Sequence, residues 1–360
     1  MPRARPLPFT RRVIDGPFVP TSAHLGARGD TQKHLHQLAA DATARHFGRS
    51  VFVRAVVEVS NFCRENCSYC GMRRDNRSLS RFRAHADQLA GLLIHHRPAS
   101  VTDVNIQAGE DPVAVREVVL PLIRTLRRET TLGISVCLGS LAADMYRELR
   151  EAGAAIYIIK FEIGERDFYK QMQAPGNFDE RIDSIELLDR TGWSVSSGFI
   201  AGLPGQTDES LLANFSLANR LPLRGCSVSP FIPGDETPLR DAPVADIDLT
   251  LNCMAALRLM RPEWVIPAVS ALNLAEPGAG YRRGLRAGAN LVTINLTPSE
   301  MREDYLLYKR ERFIMTEERI LSAIAAEGLT ASTQSLTGFC DEPAPAARRS
   351  DTVPVDLISV

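Results

Sequence analysis

The stretch "VRAVVEVS" (53–60), which runs directly into "NFCRENCSYCGMRRDN" (61–76), decides how the rest of the chain reads. Its first half is rich in β-branched apolar residues, the composition of a strand. Its second half carries Cys63, Cys67 and Cys70 in the spacing C-x3-C-x2-C, with no fourth cysteine and no histidine beside them. A strand that ends in a cysteine loop is a scaffold delivering ligands.

Outward from that strand, β-branched runs alternate with helical patterns. Further strands are expected at 101–108, 132–139, 154–161, 193–200, 224–231, 264–270 and 290–296. Between them lie helix-like segments such as "VREVVLPLIRTLRRE", "AADMYRELREAG" and "ERIDSIELLDRTG", several closed by glycine. Eight strands alternating with helices over about 250 residues is the pattern of an α/β fold, a parallel (β/α)8 TIM-type barrel. An open doubly wound sheet alternates in the same way, so periodicity admits both. Residues 1–50, with the helical "DTQKHLHQLAADATARHFG", read as an N-terminal helical cap, 51–335 as the barrel, and 336–360 as a loosely ordered C-terminal tail.

The 360 residues carry a formal net charge of −1, which gives no reason to expect nucleic acid or a membrane surface as partner. No apolar run approaches the roughly 18 residues that span a bilayer. The basic "MPRARPLPFTRRV" is not followed by an apolar core, so a secretory signal is not expected and the cytoplasm is. There, clustered cysteines are more often ligands than disulfides. The scattered Cys137, Cys226, Cys253 and Cys340 read as small buried apolar residues.

Three thiolates without a fourth partner admit three readings: a structural zinc site, an iron–sulfur cluster, or cysteines brought together by chance. Structural zinc wants four closed ligands, usually in CxxC pairs, and all seven histidines lie at or before His96. A 4Fe–4S cluster with one iron left open suits the residues better, because that iron can take a substrate or cofactor.

C-x3-C-x2-C with an aromatic before the last cysteine resembles the signature of the radical S-adenosylmethionine (SAM) superfamily. Together with "QAGEDP" (107–112), "GLPGQT" (202–207), "FIPGDETPL" (231–239), "AGANLVTINLTP" (287–298) and the block from Lys309, it is similar to one group there. That group contains methylornithine synthase, the iron-only hydrogenase maturase and, more distantly, biotin synthase. The last two blocks resemble methylornithine synthase most. The resemblance implies a 4Fe–4S cluster and SAM as cofactors, the SAM chelating the open iron and yielding a 5′-deoxyadenosyl radical that takes hydrogen from the substrate. It also implies a reduced flavodoxin or ferredoxin-type electron donor.

Carried over by position, the resemblance makes Cys63, Cys67 and Cys70 the cluster ligands and sets Tyr69 against the adenine. Gly109 and Glu110 match the motif that meets the SAM amino group. Glu162, Arg181, Gly202 and Leu203 fall at further SAM-binding positions, with Arg181 facing the SAM carboxylate. Asp111, Ser227 and Ser270 fall at or near substrate-binding positions. The relative's carboxylate-binding arginine is missing from strand six, where Arg224 is out of register. Ser196 stands where a sulfur-donating cluster would need a cysteine, which argues against sulfur insertion. Tyr157 and Tyr169 read as packing residues.

The function expected from all this is a radical enzyme acting on a small amino-acid-like molecule, a mutase rearranging its carbon skeleton or a lyase cleaving a C–C bond. A maturase-like enzyme of metallocofactor assembly is the alternative, and a non-catalytic iron–sulfur or zinc protein a third.

Overall fold

The computed structural model describes residues 18–309 and 313–342. Its centre is a curled, parallel sheet. Strands β1 (Ser50–Ser60), β2 (Asp103–Ala108), β3 (Gly133–Cys137), β4 (Ile156–Ile158), β5 (Ser194–Ala201), β6 (Gly225–Pro230) and β7 (Leu291–Asn295) lie in the order β6-β5-β4-β3-β2-β1-β7. A two-residue β8 (Thr330–Ala331), absent from the sequence-based expectation, pairs with the start of β1.

The expected strand at 264–270 does not form as a strand. It makes one parallel bridge to each neighbour, Val265 to Gly225 and Pro267 to Leu291. Val265 bonds to the β6 side through both its N–H and its carbonyl. Groups on that side recur every second residue, so the next donor falls on Pro267, which has no N–H. The sheet edges therefore meet only at their N-terminal ends. Towards the C-terminal ends the barrel wall is loose between β6 and β7.

Helices pack outside this sheet. The expected cap helix runs Gly29–Phe47 and lies against the helix Ile247–Met260. Asn252 secures the contact by accepting from Gln32 Nε2 at 3.0 Å and donating to the carbonyls of Leu25 and Ala27. The segment 112–129, expected as continuous helix, contains a π-helical turn at Val115–Val119 before the helix Leu120–Glu129. Pro121 removes the N–H that would bond to Glu117, and the backbone widens to compensate. No helix among the described residues is long and apolar enough to cross a membrane.

The described start of the expected C-terminal tail differs from a loose segment. Leu336–Asp341 is a helix that closes the N-terminal end of the barrel, with Leu336 and Cys340 packed against Phe52, Ile156, Val265 and Leu291. The buried carboxylate of Asp103 accepts from the N–H of Leu336 at 2.6 Å and of Thr337 at 3.0 Å. Polar and charged residues beyond this point set the composition of the tail, but two apolar residues one turn apart suffice to seat a helix. Residues 343–360, and 1–17 of the expected cap, lie outside the described residues.

Asp103→Ala removes both acceptors of that helix start. It should lower stability by about 1–3 kcal/mol, read from the urea midpoint at pH 7.

Candidate active site

The C-terminal end of β1 leads into the cysteine loop, and two side chains hold that loop. Asn61 donates to the carbonyls of Ser80 and Asp304 and accepts from Phe82 N–H. Arg81 donates to the carbonyls of Asn61, Met72, Arg73 and Asn76. Neither residue stands out in the sequence, since an arginine between Ser80 and Phe82 and an asparagine after a strand form no pattern.

Strand β2 ends against the same loop. A Cβ on Gly109 would lie 2.2 Å from the Phe62 carbonyl oxygen and 2.8 Å from Cys63 Cβ, so only glycine permits this approach. The Glu110 N–H then points at Cys63 Sγ, 3.4 Å away, and Arg64 N–H bonds back to the Glu110 carbonyl at 3.2 Å. Main-chain donors also face the sulfurs of Cys63 from Glu65 and of Cys70 from Met72. The three thiols lie within electrostatic reach of one another. Burial pushes all three up, Cys67 well above the ordinary thiol value and Cys70 to about 12, so as free thiols they are protonated.

Glu110 and Arg181 form a buried ion pair at 2.7 Å. Arg181 comes from the helix Phe178–Arg190, capped by the Asn177 side chain. Burial opposes the Arg181 charge, but Glu110 and Tyr169 together more than offset this and the guanidinium is held above its usual value. Arg64 reaches the other Glu110 oxygen at 3.3 Å, and Arg181 also meets Ser140 Oγ at 3.1 Å. Gly139, at φ +71°, passes so close that a Cβ would overlap the Glu110 side chain. The two residues expected to bind the amino and the carboxylate group of one amino acid thus stand side by side, as those two groups do on a single carbon.

Tyr69 and Leu203 meet in one apolar cluster with Cys67, Ile163, Ile200 and Phe231. Gly202, at φ +84°, turns the chain there, and its N–H bonds to Gln206 Oε1 at 2.7 Å. Glu162 also has a positive φ, +63°, which is strained for a residue with a side chain. Its carboxylate Oε2 lies 3.2 Å from Lys160 Nζ.

A cavity of about 350 Å³ fills the barrel and reaches the loop at Tyr69 and Cys70. Glu162, Ser227 and Ser270 line it, and so does Lys160, which the sequence did not mark. Lys160 donates to Ser229 Oγ at 3.3 Å, whereas Ser227 Oγ is bonded to the Ser197 carbonyl. Asp111 is not among the lining residues. Arg83 pairs with it at 2.7 Å and Ser60 donates to it at 2.7 Å. Burial would raise the Asp111 carboxyl, but these bonds win and hold it below its usual value. Residues 305–309 strap the mouth, the Leu307 carbonyl accepting from Gly71 N–H and that of Tyr308 from Asp235 N–H. Arg224 bonds to the carbonyls of Cys340 and Glu342, away from the mouth. Tyr157 and Tyr169 are buried, bonded to the carbonyls of Gly139 and Pro175.

The donor set fits a cubane cluster with an amino-acid-bearing cofactor. Among the described residues, no group of three or more His, Cys, Asp or Glu side chains is arranged to hold a single metal ion. A cluster presents a separate iron to each thiolate and needs no such arrangement. The hydroxyl of Tyr69 and Nε of Arg181 are buried without hydrogen-bond partners among the described residues, beside the loop and the ion pair, donors still available to a ligand.

Comparison with known proteins agrees. The Radical SAM superfamily profile matches residues 57–218. The chain is 31% identical to the FeFe-hydrogenase maturase subunit HydE of Thermotoga maritima over 303 residues, 83% of this chain and 84% of that protein. It is 25% identical to 3-methylornithine synthase of Methanosarcina barkeri over 281 residues, 78% and 79% of the two chains. The crystal structure of methylornithine synthase superposes with a TM-score of 0.77, at 23% identity, covering 86% of this chain and 92% of that one. In sequence the maturase is the more similar of the two relatives, the reverse of the order read from the last motif blocks.

Arg181→Met leaves Glu110 buried with Arg64 as its remaining cation and should cost about 3 kcal/mol. The double variant Arg181→Met/Glu110→Gln should recover part of that loss. Urea unfolding of both single variants and the double one measures the coupling.

Proposed function

The chain belongs to the radical SAM superfamily, and we propose that it acts on a small amino-acid-like substrate, rearranging its carbon skeleton or cleaving a C–C bond. Enzymes of the superfamily use a 4Fe–4S cluster and SAM, which together supply a 5′-deoxyadenosyl radical. The chain's own residues bind, orient and seclude. Cys63, Cys67 and Cys70 hold the cluster, with main-chain N–H groups supporting the sulfurs. Glu110 and Arg181 receive the amino and carboxylate groups of SAM through charge-assisted hydrogen bonds. Tyr69, Gly202 and Leu203 accommodate the adenine, and Glu162 lies on the same side of the barrel mouth.

One observation carries the substrate reading: a single cavity joins Tyr69 and Cys70 to Lys160, Ser227 and Ser270. Lys160 with Ser229 offers a cation and a hydroxyl to a carboxylate. The wall between is apolar, with Val56, Ile156, Ile158 and Val195, and keeps bulk water from a reactive intermediate. The electron comes from a small reduced carrier of the flavodoxin or ferredoxin type. A second reading, a step in metallocofactor assembly, is favoured by the 31% identity to the maturase over most of both chains. In that reading the same cavity takes an amino-acid-derived precursor.

Anaerobically reconstituted, dithionite-reduced protein should convert SAM to 5′-deoxyadenosine, and Cys67→Ala should not. Among lysine, ornithine, glutamate and related amino acids, a substrate should accelerate that cleavage. Lys160→Met should then raise its KM about tenfold or more, the loss of one charge-assisted contact worth roughly 1.4 kcal/mol. Zinc in place of iron in the reconstituted protein would end the radical reading. Faster cleavage with no amino acid tried would favour the assembly reading.

A further inference from the structure

Among the described residues, three that are not glycine hold a positive φ: Glu162, Gln173 and Glu236. Of these, Glu162 alone borders the barrel cavity. Its backbone is paired with β5, its N–H donating to the Gly198 carbonyl and its carbonyl accepting from Ile200 N–H, each at 3.0 Å. The next N–H, that of Ile163, turns back to the Phe161 carbonyl at 2.7 Å. A bond between residues two apart, around a positive φ, is a γ-turn of the rare and strained kind. Such a turn persists only where neighbouring groups fix it more firmly than the chain itself would.

Those groups lie on the helix Asp208–Arg220. Asn214 Oδ1 accepts from the Gly164 N–H at 2.5 Å, and Ser210 Oγ donates to the Glu165 carboxylate. Ser210 and Asn214 are four positions apart, so one face of the helix grips two consecutive residues just beyond the turn. The approach is close. A Cβ on Gly164 would lie 2.9 Å from the Ala213 carbonyl oxygen and 3.0 Å from Asn214 Cα. Asn214 is fully buried, and its Nδ2 has no hydrogen-bond partner among the described residues. A buried amide with an idle donor is a cost to folding that an apolar side chain would avoid. The side-chain carbonyl is what this position uses.

We propose that Asn214, seconded by Ser210, is a positioning residue for Glu162. By anchoring the chain just past the γ-turn, it keeps the Glu162 carboxylate on the cavity wall, with Oε2 3.2 Å from Lys160 Nζ. Without the anchor, Gly164 moves off the helix, the turn relaxes towards negative φ, and the carboxylate swings away. Asn214 itself is not among the residues that line the cavity. The helix thus forms part of the SAM site in advance, through a side chain that does not border the space SAM would occupy. The role rests on the radical reading, in which Glu162 lies at a SAM-binding position.

The test titrates SAM into anaerobically reconstituted, dithionite-reduced full-length protein and follows the electron paramagnetic resonance signal of the cluster. Wild type should show a saturable change. Asn214→Leu should raise the half-saturating SAM concentration about tenfold, as the loss of one charge-assisted contact does. Asn214→Asp keeps the acceptor oxygen and should bind as wild type does. The double variant Asn214→Leu/Glu162→Gln should bind no more weakly than Glu162→Gln, because both changes remove the same contact. A purely structural Asn214 would instead give losses that add. Additive losses, equal losses in Asn214→Asp and Asn214→Leu, or no loss in Asn214→Leu overturn the proposal and leave the radical reading standing. No signal change in wild type overturns the radical reading and this role with it. Should Asn214→Leu fail to fold, Ser210→Ala carries the comparison. A several-fold loss that disappears in the Glu162→Gln background is then expected, and an unchanged SAM affinity overturns the proposal.

Discussion

The buried pair of Glu110 and Arg181 is the constraint on which the rest of the site depends. Two charges withdrawn from water are tolerated only when each is fully engaged, and leaving either alone costs several kcal/mol. Arg181 rides on the helix Phe178–Arg190 that leads into β5, Glu110 stands just after the end of β2, and Arg64 approaches from the cysteine loop. The pair thus ties three segments that are distant in sequence. It also dictates the backbone around it, because Gly139 and Gly109 sit where any side chain would collide with Glu110 or with the loop. Charge at the centre and glycine at the edges are two sides of one geometric requirement.

The parallel sheet supplies the frame for this pair and divides the barrel into unlike ends. At the C-terminal ends of the strands lie the thiols, the ion pair and the strained Glu162, the polar chemistry that barrel enzymes gather there. At the other end, the helix Leu336–Asp341 closes the floor with apolar contacts and two bonds from Asp103. The loose seam between β6 and β7 follows from a single missing N–H at Pro267. The strained and reactive features therefore concentrate at one end, while regular packing at the other end holds the structure together.

Much of this was legible in the residues. Seven of the eight expected strands exist, because long β-branched runs bounded by glycine and helix signals leave few alternatives. The cysteine spacing stood out because it is local, and Glu110 and Arg181 only through the resemblance to the superfamily's motifs. What escaped notice was of a different kind. Arg81 and Asn61 act through several main-chain carbonyls, Lys160 through the direction in which a strand residue points, and none of these leaves a periodic trace. The helix at 336–341 was hidden for a similar reason, since its stability comes from the floor it covers.

By itself, then, the sequence determined the alternation of strands and helices, the position of the cysteine loop after β1, and the kind of chemistry that three thiols and an open iron allow. These follow from short-range patterns, in which each residue's neighbours in the chain are also its neighbours in the fold. Only the tertiary structure decided that Glu110 and Arg181 meet, that Asp111 is taken up by Arg83, and that Lys160 borders the same cavity as Ser227 and Ser270. Those facts depend on how eight segments close around one axis. Which charges become buried together is set by that closure, and no stretch of sequence carries it alone.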